Sequence, residues 1–168
     1  MKSRSVCGTI LDRSFFCRPT KMVARGLLGQ VSVHGDLCAE IRETEAYLPV
    51  GDEAAHAVAG QTRRTRILFG PAGHAYVYLN YGMHHLFNVV AEVEGIPGCV
   101  LIRAAGPWKG PGRLSRGMGI DLRHYGVDLT QGPLRIERGR NIEEENVLVR
   151  PRVGIRRSSE LFLRFLIA

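Results

Sequence analysis

The sequence predicts an α+β fold: one domain, residues 1–168, with a mixed, largely antiparallel curved sheet and a few short helices. Several segments alternate apolar and polar residues with period two, the spacing of a strand half-buried on one face. Turn residues separate them, as in His34-Gly35-Asp36, Gly95-Ile96-Pro97-Gly98 and Gly132-Pro133. The strand segments outnumber the helical ones and do not alternate regularly with them, which argues against a doubly wound parallel sheet. A chain of 168 residues suits one domain with its own core.

Phe15, Phe16 and Pro19-Thr20 lead into a stretch with Val23, Ala24, Leu27 and Leu28 at helical spacing, bounded by Pro19 and Gly29. Val31 to Val33 and Leu37 to Tyr47 then read as paired strands. Under strict alternation Leu37, Ala39, Ile41, Glu43, Glu45 and Tyr47 share one face, apolar at its start and acidic at its end. Such a strand runs from a core into a pocket. Asp52 to His56 reads as one helical turn with an acidic start, and residues 57–74 as a loop carrying Arg63, Arg64 and Arg66. In the next strand Ala75, Val77 and Leu79 oppose Tyr76, Tyr78 and Asn80. Phe87 to Val93 and Cys99 to Ala104 are further strands. A Gly- and Pro-rich segment, 106–112, precedes a short helix around Leu114 to Met118, and short strands and turns close the chain, ending in Leu161 to Ile167.

The formal charge is +7, and the basic side is 20 Arg against 3 Lys. The planar guanidinium fork suits phosphate oxygens, so nucleic acid is the leading partner, with biased codon usage as the bland alternative. No apolar run approaches the roughly 20 residues of a membrane helix, and no secretory signal follows Met1. Cys7, Cys17, Cys38 and Cys99 lack the C-x-x-C spacing of zinc sites and are too scattered for a disulfide framework; they read as reduced structural thiols of an intracellular protein.

Residues 43–56 gather carboxylates, Tyr47 and His56 within fourteen positions. A carboxylate at a strand end can take a proton from water as a bond breaks. A solvated acidic strand end with a helix cap at Asp52 accounts for the same residues. Residues 76–88 hold three of the five tyrosines, whose rings can stack on bases or simply suit strands. His84-His85 lacks the helical i, i+4 partner of a zinc motif, so no metal and no cofactor is expected. Gly110-Pro-Gly-Arg113 matches neither glycine-rich nucleotide signature but can meet DNA phosphates.

In order, Glu43-Thr-Glu-Ala-Tyr47, Asp52-Glu-Ala-Ala-His56, Gln61-Thr62 with its arginines, Tyr76-Val-Tyr78, Tyr81-Gly-Met83, Asn88, Val100-Leu-Ile-Arg103-Ala, Gly110-Pro-Gly-Arg-Leu114 and Arg152-Val-Gly-Ile155 resemble the alkyladenine (3-methyladenine) DNA glycosylase family, in the branch that includes the human enzyme. The resemblance covers roughly residues 10 to 156. It implies an enzyme that flips alkylated or deaminated purines out of double-stranded DNA and hydrolyses the N-glycosidic bond, leaving an abasic site. It implies Glu45 as general base and Arg103 as the arginine that helps hold the water and the substrate's phosphate. Tyr47, His56 and Tyr78 fall where the extruded base is stacked, and the His56 backbone where it donates to that base. Asn88 falls where the exocyclic amine of ordinary guanine is excluded. Tyr81 matches the wedge in the minor groove, with Met83 and Leu101 beside wedge and pocket, and Thr62, Arg64, Arg66 and Arg113 are assigned to the DNA backbone. The expected protein is a monomer located with the genomic DNA. None of the three lysines lies in the matching blocks, so a monofunctional enzyme without lyase activity is expected. Residues 156–161 depart from the family's usual Gly-Glu-Trp-like pattern, and the chain is expected to stop short of the usual C-terminal tail.

Two other readings use the same residues. A non-catalytic reader of damaged DNA needs the arginines and aromatics but not Glu45. A carbohydrate glycosidase could use Glu43 and Glu45, since alternate strand residues lie about 6.5–7 Å apart. It leaves the basic charge and Tyr81 without a role.

Overall fold

The computed structural model describes residues 8–168. Cys7, and the start of the segment in which a secretory signal was sought, lie outside the described residues. Two helices come first, α1 (Arg13–Phe16) and α2 (Thr20–Gly26), the second entered from Pro19. Strands β1 (Val31–His34), β2 (Leu37–Tyr47), β3 (Ala75–Asn80), β4 (His84–Ala91), β5 (Gly98–Ala105) and β6 (Trp108–Lys109) follow. Helix α3 (Pro111–Met118), β7 (Leu134–Glu137), β8 (Val147–Arg150) and β9 (Arg164–Ile167) complete the order. The strands form one curled sheet in the order β3-β4-β5-β2-β1-β7, with β6 on β5 and the β8–β9 pair on β2. Every pairing among the described strands is antiparallel.

One face of the sheet packs on the helices. Val23 and Ala24 of α2 and Leu114 and Met118 of α3 join Ala75, Val77, Phe87, Val89, Val100 and Ile102 in the main core. The period-two reading of β3 holds over its first four residues: Ala75 and Val77 enter that core, while Tyr76 and Tyr78 belong to a second cluster on the opposite face with Leu68, Val90 and Cys99. Leu79, read as a third member of the apolar face, is instead 40% exposed, because the strand runs out of the core toward its hairpin. Gly29 ends the α2 segment at φ +81°, a backbone state in which L side chains are strained.

The single face read for β2 is corrected by the structure. Pairing with β5 is irregular around Glu43, between Ile41↔Ala105 and Thr44↔Ile102. Ala39 and Ile41 enter the main core, but past the irregularity Ala46 does so, and the Thr44 hydroxyl donates to the Ala24 carbonyl at 2.7 Å. Glu45 and Tyr47 face the other way. The irregularity changes which residues meet the core, as a one-position slip in alternation must. The core-to-pocket passage therefore occurs by switching face, not by one face changing character.

Boundaries differ in smaller ways. β4 begins at His84 rather than Phe87, because its hairpin to β3 closes over only Tyr81–Met83. The turn at Asp52 runs on into a 3-10 turn at His56–Ala59, and the loop before β3 contains another at Arg66–Phe69. No helix among the described residues is long and apolar enough to cross a membrane.

Candidate active site

A cavity of about 600 Å³ opens on the face of the sheet opposite the main core. Glu45, Tyr47, His56, Tyr78, Leu101 and Arg103 line its depth, and Tyr81, His84, Lys109, Gly110 and Arg113 line its approach. The start of α3 reaches this cavity, and the free amides of a helix's first turn favour an anion.

Glu45 is 0% exposed. Its Oε1 accepts the Val153 amide at 2.8 Å and lies 3.5 Å from the Arg103 guanidinium; its Oε2 accepts the Tyr47 hydroxyl at 3.0 Å. A carboxylate offers about four lone-pair directions. Three are addressed, which leaves one, on Oε2, without a protein partner. Burial pushes the Glu45 carboxyl above its ordinary range, and Arg103 is the strongest influence opposing it, followed by the Val153 amide and Tyr47. A buried carboxylate with a raised proton affinity is a stronger base. Arg103 is itself held: its Nε donates to Glu43 Oε1 at 3.0 Å, and Arg164 donates to the same oxygen at 3.1 Å. Glu43 is thus occupied by two guanidinium groups, which removes the support for a two-carboxylate glycosidase.

The walls are aromatic. His56 meets the Tyr78 ring edgewise at 4.6 Å between centroids, and its Nδ1 lies 2.8 Å from the hydroxyl of Tyr76. Burial, with the nearby Arg64 charge, brings the His56 imidazole down to about 4, so the ring is neutral at neutral pH. Burial raises the Tyr47, Tyr76 and Tyr78 phenols, and all three stay protonated. Tyr47 is braced from outside: the Arg152 guanidinium lies 4.7 Å from its ring centroid. Arg152 is in turn paired with Asp52 at 2.6 and 2.8 Å, and Asp52 also accepts the amides of Leu48 and Ala54.

Asn88 sits below the rings, buried, in a narrow gap shared with Tyr47, His56, Tyr76, Tyr78 and Cys99. Its Nδ2 donates to the Tyr76 carbonyl at 3.2 Å, which fixes the amide's orientation. Burial drives the Cys99 thiol up to about 12, so it is an inert part of the wall.

Tyr81 and Met83 project from the β3–β4 hairpin, 87% and 73% exposed. Tyr81 and Gly82 both have positive φ, 51° and 64°, and the Met83 amide donates to the Asn80 carbonyl at 3.0 Å, the pattern of a type I′ turn. A non-glycine residue in this region costs about 1–3 kcal/mol. A large aromatic side chain held there in solvent contributes nothing to the core, so the hairpin tip presents it outward.

Thr62 is exposed, in a loop tied by Thr65, whose hydroxyl donates to the Gly60 carbonyl at 2.8 Å. Arg64 and Arg66 line a separate groove with Tyr78 and Tyr125 rather than the main cavity, whereas Arg113 lines the main cavity. His84 packs against Gly112, and no cluster of three metal-ligating side chains occurs among the described residues.

Sequence reasoning missed four contributors. The sequence offers Glu43 as the start of a block and as half of a carboxylate pair, not as the anchor of Arg103 and Arg164; it offers Val153 and Arg152 only as parts of a block, and Lys109 lies one position outside a block. Lys109 in fact lines the cavity. Its place beside Gly110-Pro111 was the available signal.

The description of methylpurine-DNA glycosylases matches residues 14–110 and 106–168 of this chain. A protein of Chlorobaculum tepidum (strain ATCC 49652 / DSM 12025 / NBRC 103806 / TLS) is 38% identical over 94% of this chain and 87% of its own length. One of Legionella pneumophila (strain Corby) is 43% identical over 89% and 88%, and one of Methanoculleus marisnigri (strain ATCC 35101 / DSM 1498 / JR1) 39% over 92% and 93%. All three are provisionally named 3-methyladenine DNA glycosylases.

Proposed function

The chain belongs to the methylpurine-DNA glycosylase family, and from that premise we propose that it flips a damaged purine out of duplex DNA and hydrolyses its N-glycosidic bond with Glu45 as general base. The observation that carries this is a fully buried carboxylate, held beside Arg103, at the floor of an aromatic cavity. A base inside a duplex is out of reach, so extrusion is required, at a cost of a few kcal/mol that falls for damaged pairs. The extruded purine lies between Tyr47 and the His56–Tyr78 wall, above Asn88. Alkylation at N3 or N7 makes the purine cationic, which adds cation–π attraction to the cage and makes the base a better leaving group. Water on Glu45 Oε2 attacks C1′ as the C1′–N bond breaks, and its proton passes to Glu45. The products are free base and an abasic site. Arg103 steadies the carboxylate and, with Arg113, Thr62 and Arg66, meets the backbone. Deaminated and etheno-purines fall within the same proposal; being neutral in the duplex, they depart as anions and take up a proton from solvent.

The decisive experiment is base release from duplexes bearing one hypoxanthine or one ethenoadenine, and from methylated DNA. Release by the wild type supports the reading. Tight binding without release assigns the chain to non-catalytic damage recognition. We also propose hydrolysis without strand cleavage. Lys109 is the cavity amine a lyase would need, so strand breaks made by the wild type and lost in Lys109→Gln would overturn that part.

Two further outcomes are expected. First, base release falls on the acid side as Glu45 gains its proton, with a midpoint above the ordinary carboxylate value of 4.5. Arg103 is the strongest group opposing the rise, so Arg103→Gln shifts the acid limb of kcat/KM to higher pH, and Arg103→Lys largely restores it. An unmoved limb would detach this titration from Glu45. Second, Tyr81→Ala weakens binding of a lesion duplex roughly tenfold, the lower range of a lost aromatic–base contact, while binding of undamaged duplex and its salt dependence barely change. Equal losses on both duplexes would remove the wedge role.

A further inference from the structure

We propose that Arg64 is a specificity-determining residue: its unpaired guanidinium, on the outer face of Tyr78, biases the lesion cavity against cationic purines and toward neutral ones. The inference rests on the glycosylase reading above.

Tyr78 is a shared wall. It lines the main cavity on one side and a groove with Arg63, Arg66, Leu122 and Tyr125 on the other. Arg64 lines only that outer groove, with its guanidinium carbon 5.7 Å from the Tyr78 centroid. Its backbone is fixed there, because the Tyr125 hydroxyl donates to the Arg64 carbonyl at 2.7 Å. Among the described residues its side chain has no hydrogen bond and no ion pair. The other charges around the cavity differ. Arg152 behind Tyr47 is neutralised by Asp52, and Arg103 and Arg164 are matched by Glu43 and Glu45. Lys109 and Arg113 lie toward the approach, by the helix start that suits phosphate. Arg63 and Arg66 share the groove, but it is Arg64 whose guanidinium stands over the Tyr78 ring, without a counter-charge among the described residues. Its field already reaches the cavity, where it helps keep His56 neutral.

Two cations on opposite faces of one ring compete for the same quadrupole and repel each other. A purine stacked at roughly 3.5 Å on the inner face of Tyr78 stands about 9 Å from the Arg64 charge. With an effective dielectric between the protein-surface value and water, that repulsion alters the binding of a cationic base by about three- to tenfold. A neutral purine feels no such repulsion.

The test is single-turnover base release from two duplexes of the same sequence, one with 7-methylguanine and one with hypoxanthine, by wild type, Arg64→Gln and Arg64→Lys. Arg64→Gln is expected to raise the cationic-to-neutral rate ratio about three- to tenfold, and Arg64→Lys, which keeps the charge, to return the ratio toward wild type. Equal loss on both lesions with a shallower salt dependence would make Arg64 a phosphate contact and overturn the proposal, as would an unchanged ratio. If the wild type released neither base, the glycosylase reading itself would fall, and the specificity role with it.

Discussion

Glu45→Gln is expected to slow base release from a hypoxanthine duplex by roughly 10²–10⁴-fold in single-turnover kinetics, the range for losing a positioned general base, with lesion binding unchanged. The substitution suits the site. The amide oxygen can keep the Val153 N–H and the Arg103 contact on Oε1, and the amide nitrogen can donate to the Tyr47 hydroxyl in place of accepting from it. Arg103 keeps Glu43 as its partner, so no buried cation is stranded. What is removed is proton affinity. The effect should depend on the lesion: a cationic alkylpurine departs more readily and needs less help from the base, so its loss falls at the lower end. Near-normal release by Glu45→Gln would remove Glu45 from the chemistry. Release by the wild type alone, with equal binding by both proteins, excludes a mere damage reader.

The fold was legible wherever local periodicity and the packing surface agree. Ala75 to Tyr78 is the plain case: the two faces written in the sequence are the two faces found, core on one side and aromatic wall on the other. β2 is the opposite case. Its alternation is unbroken in the sequence, but the strand crosses an irregularity near Glu43 that local pattern does not encode, because it arises in the pairing with β5. In the candidate site, Glu45, Tyr47 and the tyrosines of β3 could be picked out because they cluster in sequence. Their supports could not. The Val153 amide reaches Glu45 across 108 residues, and Arg152 reaches Asp52 across 100. Contacts so distant in sequence leave no spacing to read, and a backbone amide leaves no residue-type signal at all. Tyr81 lies between these cases. Gly82 marks the turn, but that Tyr81 shares the left-handed backbone is a property of the hairpin's closure.

Asp52 and Arg152 lead to the second large effect, on stability. Both side chains are fully buried and joined by two hydrogen bonds, and Arg152 also donates to the Ala46 and Ser158 carbonyls. Removing one member of such a pair strands the other charge away from water, which costs about 3–5 kcal/mol. Arg152→Met should fall at the low end, because Asp52 keeps two backbone amide donors. Asp52→Leu should fall at the high end, because it leaves a buried guanidinium with neutral acceptors and also uncaps Leu48 and Ala54. Urea unfolding reads this as a lowered midpoint at unchanged slope. The double variant Asp52→Leu/Arg152→Met should lose clearly less than the sum of the singles, since neither charge is then orphaned; additive losses would show that the pair is not coupled. The double variant also separates scaffold from site. It removes the guanidinium behind Tyr47 without stranding a charge. If Arg152 braces the stacking wall, the double variant binds a lesion duplex more weakly even at temperatures where it is fully folded. Undiminished binding would confine Arg152 to holding the turn at Asp52.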